Sequence, residues 1–188
     1  MLRVAITGNI ASGKSQVEKI LKNSGFIVYD SDKIAHEVLL GITDFYGYDV
    51  FTEGKIDRKK LGALVFSNAD LKQKLEELTH PEIKSKILEL FEKHKSEKFV
   101  FVSVPLLYEA GFEGIFDKVI FVSVDKATQI RRLIARNNFT REEAQKRINA
   151  QLGEEEKLKK ADFVIENNSN LEKLEEKVNK VMAILRTS

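Results

Sequence analysis

At 188 residues, with 43% hydrophobic content and two prolines, the chain is long enough for one well-buried domain with a modest insertion and too short for two ordinary ones. Its 31 Lys and Arg nearly balance 29 Asp and Glu, leaving a net charge of +2, so charge suggests neither a nucleic-acid nor a membrane partner. There is no cysteine, hence neither a disulfide nor a thiolate metal site; no apolar run reaches membrane length, no signal-peptide pattern opens the chain, and a cytoplasmic protein is expected.

The apolar run Leu2 to Thr7 predicts a buried strand. It leads straight into Gly8 to Ser15, GNIASGKS, which fits the phosphate-cradling pattern GxxxxGK[ST]. Val17, Ile20 and Leu21 then recur at helical spacing until Gly25, so the loop joins a strand to a helix as its mechanism requires. Glycine at positions 8 and 13 lets the backbone turn tightly with its amides inward, and the helix adds its positive end. Lys14 is expected to reach the β- and γ-phosphates of a nucleotide, and the Ser15 hydroxyl to hold a Mg²⁺ ion bridging them.

Phe26 to Tyr29 predicts a second strand, ending in Asp30, Ser31 and Asp32 before a helix carrying Ile34, Ala35, Val38 and Leu39. Ligands of open α/β sheets collect at the carboxyl ends of the strands, which puts both aspartates on the same rim as the phosphate loop. Helix capping needs only one of them, which leaves the other for catalysis. His36, inside the helix, reads as a partly exposed surface residue. From Gly41 to about Lys98, three apolar stripes follow: Leu61, Leu64 and Val65; Leu71, Leu75 and Leu78; Ile83, Ile87, Leu88 and Phe91. Pro81 suits the first turn of the last of these helices. The run reads as an inserted substrate-covering subdomain, or else as an elaboration that covers one face of the sheet.

Phe99 to Val104, FVFVSV, is apolar and β-branched enough for a central parallel strand covered on both faces. Pro105 closes it, and Leu106, Leu107, Tyr108, Glu109 and Ala110 follow on the ligand rim. Glu109 could meet a substrate or metal, or begin a helix. Lys118 to Val124 predicts the next strand, with Asp125 capping a helix from Ala127 to Arg136. Thr140 and Glu143 form a capping box for a helix through Gln151. The helix dipole does not favour Arg141 in that first turn; a phosphate does, so Arg136 and Arg141 read as a mobile cover bringing charge to a transferring phosphoryl group. A short strand, Phe163 to Glu166, the turn Asn167 and Asn168, and an amphipathic helix with Leu171, Leu174, Val178, Val181, Met182 and Leu185 close the chain. The expected fold is α/β: a five-stranded parallel sheet of the P-loop kinase kind, flanked by helices, in one domain. Residues 1–40 and 99–188 form its nucleotide-binding core, 41–98 a helical acceptor-binding insertion and 136–157 a lid.

No Asn-Lys-x-Asp guanine reader is present, and the central strand ends in Ser-Val-Pro instead of the acidic pair of hydrolytic ATPases. A small-molecule phosphotransferase that closes over two substrates fits better. The rivals are another small kinase with a different acceptor, and an ATP-binding regulatory or nucleic-acid-associated protein. The ordered motifs GNIASGKS, DSDKIAHEV, THP (Thr79 to Pro81), VPLLYE, RNNFTREEA and ADFVIENN span nearly the whole chain, and together they resemble the dephospho-CoA kinase family. The resemblance implies transfer of the ATP γ-phosphoryl group to the ribose 3′-hydroxyl of dephospho-CoA, with Mg²⁺. Carried over by position, it assigns Gly8, Ala11, Ser12, Gly13, Lys14, Ser15, Gln16 and Asn168 to ATP and Asp32 to the base. Arg136 and Arg141 become the lid arginines, and Asp30, His80, Leu107, Tyr108 and Glu109 fall on the acceptor side. Two positions depart from the family pattern. Gln16 replaces a usual threonine, and Lys157 replaces a common arginine, keeping the charge but losing the fork geometry.

Overall fold

A computed structural model of the protein describes residues 1–40, 50–52 and 55–187. In chain order the elements are β1 (Leu2–Thr7), α1 (Lys14–Asn23), β2 (Ile27–Asp30), α2 (Ser31–Leu40), β3 (Phe51–Thr52), β4 (Lys55–Ile56), α3 (Arg58–Ser67), α4 (Ala69–Lys93), β5 (Phe99–Ser103), β6 (Lys118–Ser123), α5 (Lys126–Asn137), α6 (Arg141–Asn149), α7 (Glu154–Lys160), β7 (Phe163–Glu166) and α8 (Leu171–Thr187), with one 3₁₀ turn at Glu113–Ile115. Among the described residues no helix is long and apolar enough to cross a membrane.

The chain forms two compact units: Met1–Asp30 with His94–Ser188, and Ser31–Lys93. In the first, five parallel strands run in the order β2-β5-β1-β6-β7. The expected five-stranded parallel sheet is present. β1 sits at its centre because it is apolar on both faces, and all five residues of β5 are buried, as FVFVS requires. One face is packed by Val17, Ile20 and Leu21 of α1 and by Leu174, Val178, Val181, Met182 and Leu185 of α8, over Val4, Ile6, Phe101, Val122 and Ile165. Leu171, at the start of α8, is exposed. Phe26 adds edge-to-face contacts to Phe99 and Phe101, with ring centroids 6.1 and 5.6 Å apart, a geometry that aromatic quadrupoles favour.

The second unit runs from Ser31 to Lys93 and includes most of the expected acceptor-binding insertion, 41–98. Within it α2 packs on α4. Val50 and Leu61 are the buried centre of this unit, with Leu39, Leu64, Leu71, Leu75 and Leu78 packed around them. β3 and β4 form a small antiparallel pair, Phe51 opposite Ile56. The expected start of the insertion at Gly41 lies outside the described residues. Pro81 does not begin a helix; it lies inside α4. A proline in a helix interior removes one backbone bond and costs about 3 kcal/mol or more. Here Leu71, Leu75 and Leu78 before it pack around Val50 and Leu61, and Ile83, Ile87 and Phe91 after it are buried. Burial of both halves holds them collinear enough to remain one helix.

One surface pair ties the centre of the first unit together. Arg3, on β1, donates from Nε to Asp117 Oδ2 at 3.0 Å and from its backbone N–H to the same oxygen at 2.8 Å, while the Asp117 N–H donates to the Arg3 carbonyl at 2.8 Å. The Arg3 side-chain hydrogen bond holds the Asp117 carboxyl below its ordinary range. A depressed carboxylate adds stability that is present above its unfolded pKa, about 3.9, and is lost as pH falls through the folded value. Both side chains are about one-third exposed, so the contribution is small. Asp117→Asn is expected to cost under about 1 kcal/mol at pH 7, with the gap to wild type closing below pH ~4; denaturant unfolding at both pH values measures it.

Candidate active site

The loop after β1 is held from outside by side chains that grip its carbonyls. Gln129 Nε2 donates to Ile10 O at 2.7 Å, Arg132 Nη1 reaches Ala11 O and Ser12 O at 3.4 and 3.3 Å, and Asn167 Nδ2 donates to Ser12 O at 2.8 Å. Arg132 Nη2 also donates to Asn167 O at 2.9 Å, joining two of the tethers. In a planar trans peptide the carbonyl of one residue and the N–H of the next point opposite ways. Fixing the carbonyls of Ile10, Ala11 and Ser12 therefore turns the amides of Ala11, Ser12 and Gly13 to the other side. The Ser12 amide bends to Asn9 O at 3.0 Å; the others face the concavity of a phosphate nest.

The glycines serve this shape. Gly13 has φ +93° and forms the N-terminal boundary of α1; a Cβ there would collide with Asn167 Nδ2. A Cβ on Gly8 would run into Val122 O and lie 2.7 Å from Ser12 Oγ. Ala11 adopts φ +60°, a left-handed conformation that costs a non-glycine residue about 1–2 kcal/mol and recurs at functional sites. Asn9 Oδ1 and Ser12 Oγ, both in the loop, are buried without a hydrogen-bond partner among the described residues, so a polar group or water has to meet them. Lys14 and Ser15 occupy the first turn of α1, with Ser15 exposed. A hydroxyl oxygen at this end of the loop suits Mg²⁺, which takes few protein ligands and completes its oxygen shell from water and substrate phosphates. Among the described residues no group of three His, Cys, Asp or Glu side chains stands ready to hold a metal by itself.

Asp30 ends β2, in register with Ser103 of β5, which is itself in register with Ile6 of β1. It is therefore on the phosphate-loop rim, two strands away, roughly 10 Å at ordinary strand spacing. In the second unit Asp32 is exposed in the first turn of α2, and with Lys33, His36 and Glu37 it lines a cleft of about 340 Å³. His36 is exposed, as expected. His80 lies half-buried in α4, beside Thr79, whose hydroxyl donates to Leu75 O at 2.7 Å.

The segment after β5 is a turn, not a helix. Leu107 is fully buried and its carbonyl accepts from Phe112 N–H at 2.9 Å, so its side chain supports the turn from beneath. Tyr108 is buried, its hydroxyl lacks a hydrogen-bond partner among the described residues, and burial, with help from Glu113 and Asp162, pushes its pKa up to about 12. Glu109 faces Lys157: Oε1 accepts from Lys157 Nζ at 2.7 Å and from Leu152 N–H at 3.2 Å. Lys157 is 0% exposed. Its ammonium is paired with the Glu109 carboxylate.

α5 is capped by Asp125, which accepts from Thr128 N–H at 2.8 Å, and ends where Asn138 turns left-handed at φ +53° and donates to Ile134 O at 3.0 Å. Arg136 is exposed and donates from Nε to Asn137 Oδ1 at 2.9 Å. The capping box of α6 is complete: Thr140 N–H donates to Glu143 Oε2 at 2.8 Å and Glu143 N–H to Thr140 Oγ1 at 3.2 Å. Arg141 is exposed at the head of α6. Gln129, Arg132, Gln151 and Asn167, the residues that shape the loop, carried no signal in the sequence beyond Asn167's place in the ADFVIENN motif. The Gln16 N–H donates to Gly13 O at 2.9 Å as α1 begins. Asn167 and Asn168 divide the work of their turn, since Asn167 is buried against the loop while Asn168 Oδ1 accepts from Asp125 N–H at 2.8 Å.

The pattern of the dephospho-CoA kinase family matches residues 2–173. Over 182 residues the chain is 45% identical to the dephospho-CoA kinase of Fusobacterium nucleatum, covering 93% of this chain and 94% of the relative. It superposes on the solved dephospho-CoA kinase from Campylobacter jejuni with TM-score 0.77 and 35% identity, over 98% of both chains. A shikimate kinase from Bacteroides thetaiotaomicron, 18% identical over 98% of both chains, superposes with TM-score 0.62 and shares the fold alone.

Gly13→Ala is expected to weaken nucleotide binding and to cost about 1–2 kcal/mol of stability from its φ alone. Adding Asn167→Ala removes the collision but not the backbone cost, so calorimetric ATP binding should recover only in part.

Proposed function

Since the chain belongs to the dephospho-CoA kinase family, we propose that it transfers the γ-phosphoryl group of ATP to the ribose 3′-hydroxyl of dephospho-CoA, giving coenzyme A and ADP. The observation that carries the reading is the phosphate loop held amide-inward at the end of β1, with Lys14 and Ser15 opening α1. ATP's phosphates lie along Ala11 to Gln16, close against Gly8, where no Cβ intrudes. Lys14 draws charge from the β- and γ-oxygens, and Asn168 belongs to the nucleotide side. Mg²⁺, when bound by the Ser15 hydroxyl and the phosphates, neutralises the charge on the transferring group.

Asp32 is the proposed base. It takes the proton as the 3′-oxygen forms its bond to the γ-phosphorus and the bond to the β-bridging oxygen breaks. Arg136 and Arg141 bring positive charge to the equatorial oxygens of a loose transition state, where charge stabilisation outweighs proton transfer. Asp30, His80, Leu107, Tyr108 and Glu109 fall on the acceptor side. The same reading sets the reaction in the cytoplasm, with no nucleic-acid or membrane partner.

The first test is ADP formation from Mg-ATP by the purified protein with dephospho-CoA, AMP, other nucleoside monophosphates, shikimate or no acceptor, with product masses determined. Turnover with dephospho-CoA alone, giving a product one phosphate heavier, is expected; turnover with another acceptor only would overturn the acceptor assignment. Asp32→Asn is expected to lower kcat by about 10²-fold, the low end for a positioned base, with ATP binding little changed. Wild-type turnover in that variant would remove Asp32 from the mechanism.

A further inference from the structure

The segment that carries the lid arginines is anchored at both ends to one residue of the phosphate loop. On the way in, Gln129 of α5, 4% exposed, donates to Ile10 O at 2.7 Å. On the way out, Gln151, in the turn between α6 and α7, accepts from Ile10 N–H at 2.7 Å. Ile10 therefore has both its backbone groups held by glutamine side chains that bracket residues 130–150. A second anchor lies next to the first. Leu152 N–H donates to Glu109 Oε1 at 3.2 Å, and Lys157 Nζ, on α7, donates to the same oxygen at 2.7 Å.

The choice of residues at these points is not explained by packing. A fully buried lysine is an expensive way to fill space, since its charge must be matched where water cannot reach it. An apolar side chain of similar length would fill the same volume without that demand. What the lysine supplies is direction: its ammonium meets one carboxylate oxygen in the turn after β5, which fixes α7, and through it the turn at 150–153, relative to the sheet. Gln151 supplies the same to the phosphate loop, as a neutral acceptor that adds no negative charge beside a site for polyphosphate. Between the anchors, α6 buries only Ala144, and the two arginines are exposed. The roots are fixed and the span between them is lightly packed.

We propose that Gln151 and Lys157 are positioning residues that fix the root of the lid, Gln151 to the phosphate loop through Ile10 and Lys157 to the turn after β5 through Glu109, so that Arg136 and Arg141 swing from a base registered to the bound phosphates. This rests on the assignment of those arginines to the transferring phosphoryl group. Neither residue touches a reacting atom; each acts on where the arginines arrive. Misplacing a charge-stabilising group by about 1 Å can cost up to about 10²-fold in rate.

The test uses the full-length protein with Gln151→Leu, Lys157→Met and Lys157→Arg, together with Arg136→Ala and Arg141→Ala. Steady-state kinetics with ATP and dephospho-CoA, melting temperature, and hydrogen exchange of the 139–153 amides are measured for each. Gln151→Leu and Lys157→Met are expected to lower kcat about 10- to 100-fold with the KM for ATP changed less than about threefold, and to speed exchange across 139–153. Lys157→Arg, which keeps the charge-assisted bond, should return kcat to within about threefold of wild type. Wild-type kcat and exchange in both Gln151→Leu and Lys157→Met would overturn the proposal, as would a lowered melting temperature with kcat and exchange unmoved. Should Lys157→Met fail to fold, the half-buried Gln151 decides alone. If the arginine variants turn over normally while Gln151→Leu still speeds exchange, the arginine assignment fails and the anchoring stands.

Discussion

The rest of the molecule depends on carbonyls being held from behind. A phosphate loop binds by backbone amides, and a backbone amide can be aimed only by fixing the peptide plane to which it belongs. Gln129, Arg132 and Asn167 fix three successive planes through their oxygens. Each such bond contributes a modest net stability of about 0.5–1.5 kcal/mol; its larger effect is geometric. The tethers come from α5 and from the end of β7, which places a requirement on the sheet. β6 must lie beside β1 and β7 beside β6, so that the segments leaving their carboxyl ends arrive next to the loop. Strand order, helix α5 and the asparagine turn all serve a cradle three residues long. The strain recorded at Ala11 is held in place by the same tethers.

A lid carried by α6, as proposed above, would have to satisfy a different constraint: it must change its packing without melting. A nine-residue helix is too short to persist in water on propensity alone. α6 answers with a complete capping box, which satisfies orphan amides at its head from within, and with basic residues in its last turn that suit the dipole. Its stability is local, so little of it is lost when the helix leaves its neighbours. The left-handed Asn138 at the end of α5 makes a sharp boundary on the other side. The buried pair of Lys157 and Glu109 belongs to the fixed part, and its cost is borne where nothing has to move.

The sequence made the local parts readable. Strand, glycine loop and helix from Leu2 to Asn23, the capping box at Thr140, the uniformly apolar β5 and the stripe of α8 all follow from period, cap and turn chemistry, and the structure has them within a residue or two. What was hidden depends on distance along the chain. Gln129 and Gln151 meet Ile10 across 119 and 141 residues, and a glutamine on a helix surface reads the same whether it faces water or a carbonyl. The start of the second unit at Ser31 was hidden because β2 passes into α2 without a loop, so composition marks no boundary. Pro81 misled for the opposite reason: a strong local signal was overridden by burial on both sides of it. Glu109 and Lys157 were each visible as unusual, but the bond that explains both is tertiary.

A division of labour follows between backbone and side chain. Phosphate recognition by amides depends on conformation, so any sequence able to hold the loop will serve, and the same fold recurs in a kinase of only 18% identity. The acceptor contacts proposed above depend instead on side chains, such as the Tyr108 hydroxyl, which is buried without a hydrogen-bond partner among the described residues. A hydroxyl in that state is costly unless a ligand meets it, which makes it a discriminating contact: an acceptor that hydrogen-bonds to it recovers the loss, and one that does not leaves it buried and unmet. On the proposed assignment, nucleotide binding follows from how the loop is tethered, whereas discrimination of the acceptor rests on polar side-chain atoms such as the Tyr108 hydroxyl.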